Sequence, residues 1–466
     1  MGNILFWFRN DLRVRDNQAL LQATSEGKVV PVYVIDQRLF GPSGLGFNRT
    51  GVFRAKFLLE SLAELKNNLK QLGSDLVVKF GIPEQELFKI AVDFEVEKVI
   101  ASKEVTQEET NVESALYQKL KTQNIEIDFF WSNTLIHVRD LPFQIHFVPD
   151  VFTDFRKKVE NAWRVREELP VPEKIESPAG LEKTEVPTLH DLGFNDFTPD
   201  QKDLNQFIGG ENQALCRLNE FIWEKDLLKT YKETRNQMLG KDYSSKLSPY
   251  LSLGCISPRT VYFQVKKYEA ERVQNESTYW LIFELLWKDY FYFIALKFGI
   301  RMFKRCGIKH DLIKTWKRNK EHFKMWMEGR TGVPIIDAVM VELKTTGYIS
   351  NRGRQLVASF FTKDLNLEWW WGAMYFESQL IDYEVCSNWG NWNYIAGIGT
   401  DPRHDRYFNP IGQAKKYDPE AEFIKYWLPQ LSEIAASDLI NIAPLENIVT
   451  SGIDYPSKAI PKNKRW

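Results

Sequence analysis

Residues 382–397, DYEVCSNWGNWNYIAG, combine two carboxylates, several amides and spaced tryptophans in one short segment. Carboxylates and amides can hydrogen-bond the heteroatoms of a bound ring, and indoles can give up electrons. A second polar segment, YISNRGRQ, lies upstream at 348–355, and three consecutive tryptophans stand between the two at 369–371. Together these residues predict a polar pocket, connected to aromatic side chains, that suits a bound redox ring better than a plain core does.

The composition favours no class of macromolecular partner. The chain has 466 residues with 61 basic and 62 acidic side chains, so any binding to nucleic acid requires a local basic patch. Its four cysteines lie far apart with no C-x-x-C pair, which argues against a metal site and against a disulfide framework. The N-terminal run MGNILFWFRN has no basic leader and is interrupted by Arg9 well before a spanning length. We therefore expect no metal, no membrane segment and a cytoplasmic protein.

Hydrophobic periodicity indicates the elements that position these segments. Five short apolar runs predict strands at 4–8, 29–35, 76–80, 99–102 and 125–130. Amphipathic stretches between them, notably 52–72 and 83–94, predict crossover helices. Short apolar strands joined by helices form a parallel sheet that is covered on both faces. The glycines of GPSGLG at 41–46 have the wrong order for a dinucleotide fingerprint and predict a turn-rich loop.

The rest of the chain divides into a connection and a second domain. Prolines accumulate and periodicity is lost between 131 and 205, which predicts an irregular interdomain linker. Beyond it nearly every stretch has helical periodicity, with helices predicted at 212–228, 278–298, 332–346 and 355–361. We therefore predict an α/β domain at 1–130, a linker at 131–205 and an all-α domain at 206–466.

The whole chain resembles the cryptochrome and photolyase superfamily, from FWFRNDLRVRDN near the start to EFIKYWLPQL near the end. Within it the chain is most similar to the DASH branch, because the positions that divide the branches read Tyr348, Gln355 and Tyr394. The resemblance implies a photolyase-type, Rossmann-like N-terminal domain and a flavin adenine dinucleotide (FAD) buried in the helical domain. It also implies electron transfer that is driven by blue light.

The resemblance assigns the phosphates of FAD to Tyr231 and to the segment SSKLS. That segment consists of Ser244, Ser245, Lys246, Leu247 and Ser248. The residues themselves are suitable, since hydroxyls and free amides before a helix that begins near Pro249 can hydrogen-bond a pyrophosphate. The alternative is an ordinary helix N-cap, which Ser-Pro before an apolar run forms in many proteins.

The two polar segments match the part of the family that holds the flavin ring. Arg354 and Asp382 match the pair that lies across the isoalloxazine, Asn388 matches the residue that faces the ring nitrogen N5, and Tyr383 belongs to the same group. A guanidinium near the ring would favour an anionic reduced flavin, and an amide can donate or accept. An ordinary buried ion pair is the alternative. Glu384 stands where the family has Asp, so we expect FAD to bind with altered geometry at the pyrimidine edge of its ring.

Trp392, Trp369 and Trp316 match the three indoles that relay an electron from the surface to the flavin in this family. They come from three separate segments, so their spacing along the chain cannot establish a relay. Trp370 and Trp371 are predicted to pack.

The segment FELLWKDYF matches the family's substrate site. Glu284 matches the acid that hydrogen-bonds a damaged pyrimidine, and Trp287 matches the indole that packs on it, with Lys288 beside them. Asn351 and Arg352 match the rim of the same pocket. The implied reaction is electron donation from photoexcited, reduced flavin into a cyclobutane pyrimidine dimer, splitting of the dimer and return of the electron.

The implied partner is DNA with pyrimidine dimers, chiefly as a single strand or a locally opened duplex. A dimer leaves the base stack at less cost in a single strand. Tyr394 also replaces an indole of duplex-specific relatives, which removes part of the clamp around the dimer. RNA is a further candidate strand, and we expect a monomer. The candidate phosphate contacts are Arg235, Lys241, Lys246, Arg352, Arg403, Arg406, Lys415 and Lys416, each of which is otherwise a solvated surface charge.

In this family the N-terminal crevice often holds 5,10-methenyltetrahydrofolate as a light-harvesting antenna. Glu108 is the candidate for the acid that contacts its pterin ring, with Glu109 and Glu104 as alternatives. An acid that merely begins a helix is the simpler explanation.

Three other functions compete with repair. A photoreceptor of the same fold would bind flavin without repairing DNA. A nucleotide-binding enzyme without photochemistry would be colourless. A nucleic-acid-binding regulator with a structural flavin would bind undamaged strands without an effect of light.

Overall fold

The computed structural model describes residues 2–195, 197–403, 406–442, 453–458, 460 and 466. Its five strands are β1 Asn3–Phe8, β2 Lys28–Asp36, β3 Val77–Gly81, β4 Val96–Ser102 and β5 Glu126–Phe130. The helices of the first part of the chain are α1 Gln18–Glu26, α2 Val52–Gln71, α3 Pro83–Asp93, α4 Gln107–Lys121 and α5 Phe152–Asn161.

The later helices are α6 Glu211–Asn219, α7 Tyr231–Thr234, α8 Ser248–Ser252, α9 Pro258–Glu271, α10 Glu276–Phe298, α11 Lys320–Met327, α12 Pro334–Thr346, α13 Asn351–Ser359, α14 Trp369–Gln379, α15 Val385–Ala396, α16 Pro410–Tyr417, α17 Glu422–Trp427 and α18 Ala436–Ile440. Every named strand belongs to the N-terminal part of the described chain. The predicted fold class, an α/β N-terminal region followed by a helical region, is therefore confirmed.

The strands form one parallel sheet in the order β3-β2-β1-β4-β5. Alternating side chains of β1 enter different cores, because successive residues of a strand point to opposite faces. Phe6 and Phe8 join a core that continues into the helical region, whereas Leu5 and Trp7 join the core beneath α3 and α4. This two-sided covering explains why the strands are nearly continuous apolar runs in the sequence.

Helix α10 docks onto the carboxyl end of the sheet, where the strand order reverses between β1 and β4. Tyr292 of α10 donates to the carbonyl oxygen of Lys103, at 2.8 Å, and to a carboxylate oxygen of Glu104, at 3.2 Å. Asn10 and Asn133 each donate to the other oxygen of Glu104 at 3.1 Å. Sheet, linker and helical region therefore meet at one buried carboxylate.

Three predicted elements differ from the observed ones. The segment 131–205 is not wholly irregular, because it contains α5, whose Phe152 and Phe155 are buried. The helix predicted at 212–228 is a regular α-helix only as far as Asn219. The chain continues as a wider helical turn, and Asp226, which adopts a left-handed backbone with φ of 54°, lies beyond that turn. Helix α13 begins four residues before the predicted 355, because Ser350 accepts from the backbone N–H of Gly353 and caps it. The loop at 41–46 lies outside helices and strands, as predicted.

Among the described residues, no helix is long and apolar enough to cross a membrane. The four cysteines are all unpaired thiols. Within the same described ranges, no three His, Cys, Asp or Glu side chains cluster closely enough to hold a metal ion.

Glu104 makes the junction sensitive to pH. Burial raises the pKa of this carboxyl from 4.5 to about 7. Between these values the native state binds more protons than the unfolded state, so the free energy of unfolding falls as pH rises from about 5 to about 7. Each pKa unit corresponds to about 1.4 kcal/mol of free energy. We therefore expect Glu104→Gln to remove roughly 2 kcal/mol of the fall in unfolding free energy between these two pH values. Urea unfolding at both pH values measures it, with the exposed Glu108→Gln as the control; an unchanged slope in Glu104→Gln would contradict the prediction.

Candidate functional site

A cavity of about 280 Å³ lies between the segment before α8 and the helices α10, α13 and α15. Most of the side chains assigned by sequence to the cofactor and the substrate line it. They are Tyr231, Arg235, Ser244, Ser245, Lys246, Leu247, Ser248, Glu284, Lys288, Asn351, Arg354, Asp382 and Glu384. A second cavity of about 90 Å³ shares Asn351, Arg354, Asp382 and Glu384 and adds Tyr383, Asn388 and Trp392. The folded chain thus brings together residues from positions 231 to 392.

The segment 244–248 is held by an arginine that the sequence analysis did not identify. Arg217 donates from Nε to the carbonyl oxygen of Ser245, at 2.9 Å, and from Nη2 to that of Ser244, at 3.1 Å. These bonds take up the carbonyl groups and leave the serine side chains along the cavity wall. Arg217 lies on α6, far from the segment in sequence, and no local motif could have indicated its role.

Lys246 is enclosed in the core of the site. Its Nζ lies 3.7 Å from the ring centroid of Tyr243 and 4.5 Å from that of Tyr348, and it has no hydrogen-bond partner. Burial lowers the pKa of this amine to about 7. Its backbone is left-handed, with φ of 58°. The expectation that Lys246 contributes to an exposed row of phosphate contacts is therefore wrong, since only 3% of the residue is exposed.

Arg354 and Asp382 form the predicted ion pair, with Nη2 and Oδ2 separated by 2.8 Å. Burial disfavours the charge on Arg354, but Asp382 more than offsets this and the pKa of the guanidinium is raised. The other carboxylate oxygen, Oδ1 of Asp382, is buried without a hydrogen-bond partner. A buried carboxyl oxygen requires a hydrogen-bond donor, so this wall fits a ligand that presents an N–H or O–H group.

Glu384 caps α15. Its carboxylate accepts from the backbone N–H groups of Cys386, at 2.9 Å, and Ser387, at 2.8 Å. Glu384 is one methylene longer than the Asp of the family, and its carboxylate caps the N-terminus of α15. One turn later, Asn388 donates to the carbonyl oxygen of Ala373 at 3.1 Å, which fixes its amide at the cavity wall.

The three tryptophans of the predicted relay lie on neighbouring elements. Trp392 lines the smaller cavity and packs on α14, where a Cβ at Gly372 would approach its ring to 2.2 Å. Trp369 lies one turn away on α14 and donates to the carbonyl oxygen of Arg305 at 3.0 Å. Trp316 precedes an isolated bridge between Lys317 and Leu367, which brings it beside the start of α14. The three indoles thus lie on or beside α14, and all three are buried.

Of the substrate residues assigned on α10, Glu284 and Lys288 line the larger cavity, whereas Trp287 does not. Glu284 pairs with Arg235 at 2.7 Å, and burial raises the pKa of its carboxyl despite this cation. Trp287 stacks on Phe152 at 3.6 Å between centroids, and Tyr394 meets its edge at 6.0 Å. The unpredicted helix α5 therefore supplies one wall of the indole site.

The cationic side chains at the rim of the cavity differ in the hydrogen bonds that they make within the protein. Arg352 donates to Gln355 and Asn236 and lies over the ring of Tyr417 at 4.6 Å. Arg406 donates to the hydroxyl of Tyr394 at 3.0 Å and also bonds Asp401. Lys288 donates to the carbonyl oxygen of Asn133 at 2.6 Å, which ties its ammonium to the interior.

A third cavity, of about 430 Å³, separates the α/β region from the helical region and is here called the interdomain cavity. Glu108 lines it from the first turn of α4 and pairs with Arg49 at 2.9 Å. Glu109 also lines it, and burial raises the pKa of its carboxyl. Glu104 does not line this cavity and is bonded at the junction instead. Tyr383 and Glu384 border both this cavity and the flavin-assigned one, so a thin wall separates the two.

Two family descriptions match most of the chain. Residues 4–174 match DNA photolyase, and residues 280–465 match the FAD binding domain of DNA photolyase. Cryptochrome DASH of Gloeobacter violaceus is 48% identical over 98% of this chain and 93% of its own length. Cryptochrome DASH of Xenopus laevis is 47% identical over 93% of this chain and 84% of its own length. The chain belongs to the DASH branch of the cryptochrome and photolyase family.

Solved structures agree with this membership. A cryptochrome from Synechocystis sp. has a TM-score of 0.95 and 42% identity over 100% of this chain and 97% of that chain. An archaeal photolyase from Sulfolobus tokodaii, described with two FAD molecules, has a TM-score of 0.80 and 29% identity over 98% of this chain and 96% of that one. The helical region is thus a photolyase-type FAD-binding domain, and the cavity beside Arg354 and Asp382 has the donors, acceptors and buried cation that a flavin nucleotide requires.

The N-cap of α15 offers a test of how the site is built. Glu384→Ala leaves the first N–H groups of α15 without their acceptor, and we expect a loss of about 1 kcal/mol in the free energy of unfolding. Glu384→Asp retains a capping carboxylate and is the matched control, with an expected loss within about 0.5 kcal/mol. Urea unfolding measures both. Equal losses in the two variants would show that the capping bonds do not account for the role of Glu384.

Proposed function

We propose that this protein uses FAD and blue light to repair cyclobutane pyrimidine dimers, chiefly in single-stranded DNA. The observation that carries the proposal is the placement of Glu284 and Arg235 on the same cavity as the phosphate-binding segment and the Arg354–Asp382 pair. A cofactor held by the phosphate-binding segment and the Arg354–Asp382 pair would lie within reach of a base held by Glu284 and Arg235. Family membership supports the cofactor and an interaction with DNA.

FAD would supply the photochemistry, by absorbing light and donating an electron. The chain's own residues would hold it. Ser244, Ser245 and Ser248 offer hydroxyls to the phosphates, and Lys246 supplies a buried positive charge behind them. Arg354 would offset negative charge on the reduced ring, and Oδ1 of Asp382 would accept from a ring N–H.

Glu284 and Trp287 would hold the damaged bases. Glu284 would hydrogen-bond a damaged pyrimidine, on which charge develops when an electron enters, from the cavity that the phosphate-binding segment also lines. Trp287 offers a fixed stacking face because Phe152 supports it from behind. Asn351, at the exposed start of α13, would contact the rim of the same pocket.

A single strand is the favoured substrate on energetic grounds. Extrusion of a dimer from a duplex costs a few kcal/mol, and much less from a single strand. Tyr394 lies at the rim, where its hydroxyl accepts a hydrogen bond from Arg406. A larger aromatic side chain at this position would favour a dimer that is flipped out of a duplex. Arg352, Arg403, Lys415 and Lys416 could contact strand phosphates, and RNA could use the same contacts.

The interdomain cavity is the proposed antenna site for 5,10-methenyltetrahydrofolate. Glu109 fits the pterin-contacting role better than Glu108, because Glu108 is 65% exposed and paired with Arg49. The archaeal photolyase with two FAD molecules provides a precedent for a second chromophore in a protein of this fold.

We propose that the protein acts as a monomer. Unpaired thiols, including the exposed Cys216, suit the reducing cytoplasm.

The proposal predicts that Glu284→Ala lowers repair roughly 10- to 100-fold, because a hydrogen bond to the developing charge is lost. The flavin absorption spectrum should not change, since Glu284 contacts the base side of the cavity. The assay follows dimer loss in single-stranded and duplex oligonucleotides after photoreduction. Glu284→Gln, which keeps a donor, should retain more activity than Glu284→Ala.

Glu276→Ala, at the exposed start of α10, is the control for a general effect on that helix. Unchanged repair in Glu284→Ala would place the substrate pocket elsewhere. A flavin spectrum without repair in the unmodified protein would favour a photoreceptor of this family instead, and a colourless protein that cannot be reconstituted with FAD would remove the whole proposal.

A further inference from the structure

The two most exposed large aliphatic side chains of the described chain are neighbours. Leu312 is 74% exposed and Ile313 is 91% exposed, whereas Ile208, the next in order among the described residues, is 50% exposed. Single apolar side chains on a protein surface are ordinary and need no explanation. An adjacent pair that leaves almost all of its area in water is different, because the pair gains nothing from the fold and is free to bury that area against something else.

The turn that presents this pair is fixed at the end of α15 and just beyond it. The backbone N–H of Lys309 donates to the carbonyl oxygen of Ile398 at 2.8 Å, and Nζ of Lys314 donates to that of Ala396. Between these two anchors, the carboxylate of Asp311 accepts from the backbone N–H of Lys314 at 3.1 Å and closes the turn. The apolar pair therefore extends into solvent from a base that is bonded to the helical region.

The residues around the turn are strongly basic, although the whole chain is nearly neutral. Residues 301–320, here called the basic segment, contain eight lysines and arginines and one acid, Asp311, with Glu321 directly after them. The cations are Arg301, Lys304, Arg305, Lys309, Lys314, Lys317, Arg318 and Lys320, and all except Lys314 are exposed.

Part of this charge is offset within the protein. Glu368, which is buried, pairs with Arg305 at 2.6 Å and with Arg318 at 3.4 Å. Lys304, Lys317 and Lys320 have no ion pair among the residues that the structure describes. At least three exposed ammonium groups therefore remain available to an anionic partner beside the apolar pair.

The kind of side chain that is exposed here distinguishes between classes of partner. The proposed repair site does not use the basic segment, since no residue of 301–320 lines its cavities. A second site for a nucleic-acid strand would combine cations with exposed aromatic rings on which bases stack. The one aromatic ring at 309–320, that of Trp316, is only 7% exposed. Aliphatic side chains among cations fit a surface that has an anionic outer layer and an apolar layer beneath it.

We propose that the basic segment docks this protein on the surface of an anionic lipid bilayer. Leu312 and Ile313 insert at the boundary between headgroups and acyl chains, and Lys304, Lys317 and Lys320 contact the anionic headgroups. The chain lies against the bilayer and does not span it, since no described helix is suited to crossing one. Each cation near an anionic surface strengthens binding about fivefold. Two aliphatic side chains with a few cations give reversible attachment that weakens as salt is added.

Cosedimentation of the entire chain with lipid vesicles tests the docking surface. The protein should bind vesicles of phosphatidylcholine that contain about one third phosphatidylserine, and it should not bind vesicles of phosphatidylcholine alone. Ile313→Ser should weaken binding roughly 10-fold, because an aliphatic side chain no longer leaves water. The double variant Lys304→Glu/Lys317→Glu should weaken it at least roughly 10-fold. At 91% exposure, Ile313 contributes little to the folded core, so its loss leaves the protein folded.

The chain offers a matched control for each variant. Ile208→Ser removes an exposed isoleucine outside the basic segment, and Lys183→Glu reverses an exposed lysine outside it. Both should bind the anionic vesicles as the unmodified protein does. No binding to these vesicles, or equal binding by Ile313→Ser and the unmodified protein, would overturn the proposal.

An undamaged single-stranded oligonucleotide separates lipid from nucleic acid as the partner. Oligonucleotide binding that is lost in Lys304→Glu/Lys317→Glu, in a protein that ignores anionic vesicles, would assign the basic segment to nucleic acid and overturn lipid docking. Dimer repair in solution needs no bilayer and should be normal in Ile313→Ser. Failed repair in the unmodified protein, with normal vesicle binding, would refute the proposed function alone.

Discussion

The ion pair between the partly exposed Arg354 and the buried Asp382 constrains the walls of the flavin-assigned cavity. Removal of Arg354 would leave the buried carboxylate of Asp382 without its cation, which is costly in a protein interior. The pair therefore fixes α13 against the segment that leads into α15. Asn351 at the start of α13 and Asn388 on α15 are placed by the same constraint. A site whose polar walls are held in this way is preorganised before any ligand arrives.

The site depends on a further set of bonds that are remote in sequence. Arg217 organises the carbonyl groups of the 244–248 segment, and Phe152 supports Trp287 from behind. Neither residue belongs to a recognisable motif. Both limit the conformations of motif residues that line the site. Supporting residues of this kind are common where a fold must hold a ligand in one orientation.

The sequence predicted the fold class, the five strands and the polar segments well, because each depends on local periodicity or on a long motif. Helix α13 was predicted to begin too late, since Asn351, Arg352 and Gly353 interrupt the apolar pattern while Ser350 caps the helix. Lys246 was counted among the contacts to strand phosphates as well as in the cofactor segment, because its burial cannot be read from its charge. Helix α5 lies in the proline-containing stretch that was predicted as an irregular linker. Its apolar face is explained by its packing against α10.

Net charge near zero conceals strong local separation of charge. The stretch around Trp316 exposes several cations, four glutamates and two arginines line the interdomain cavity, and Lys246 and Arg354 both lie over the ring of Tyr348 at the flavin-assigned cavity. Such separation is costly unless the charges are paired or face water, and most of these charges are paired or exposed. Lys246, with no hydrogen-bond partner of its own, is an exception that a phosphate would relieve. Local separation of charge, and not the net charge of the chain, therefore decides where this protein can hold an anionic group.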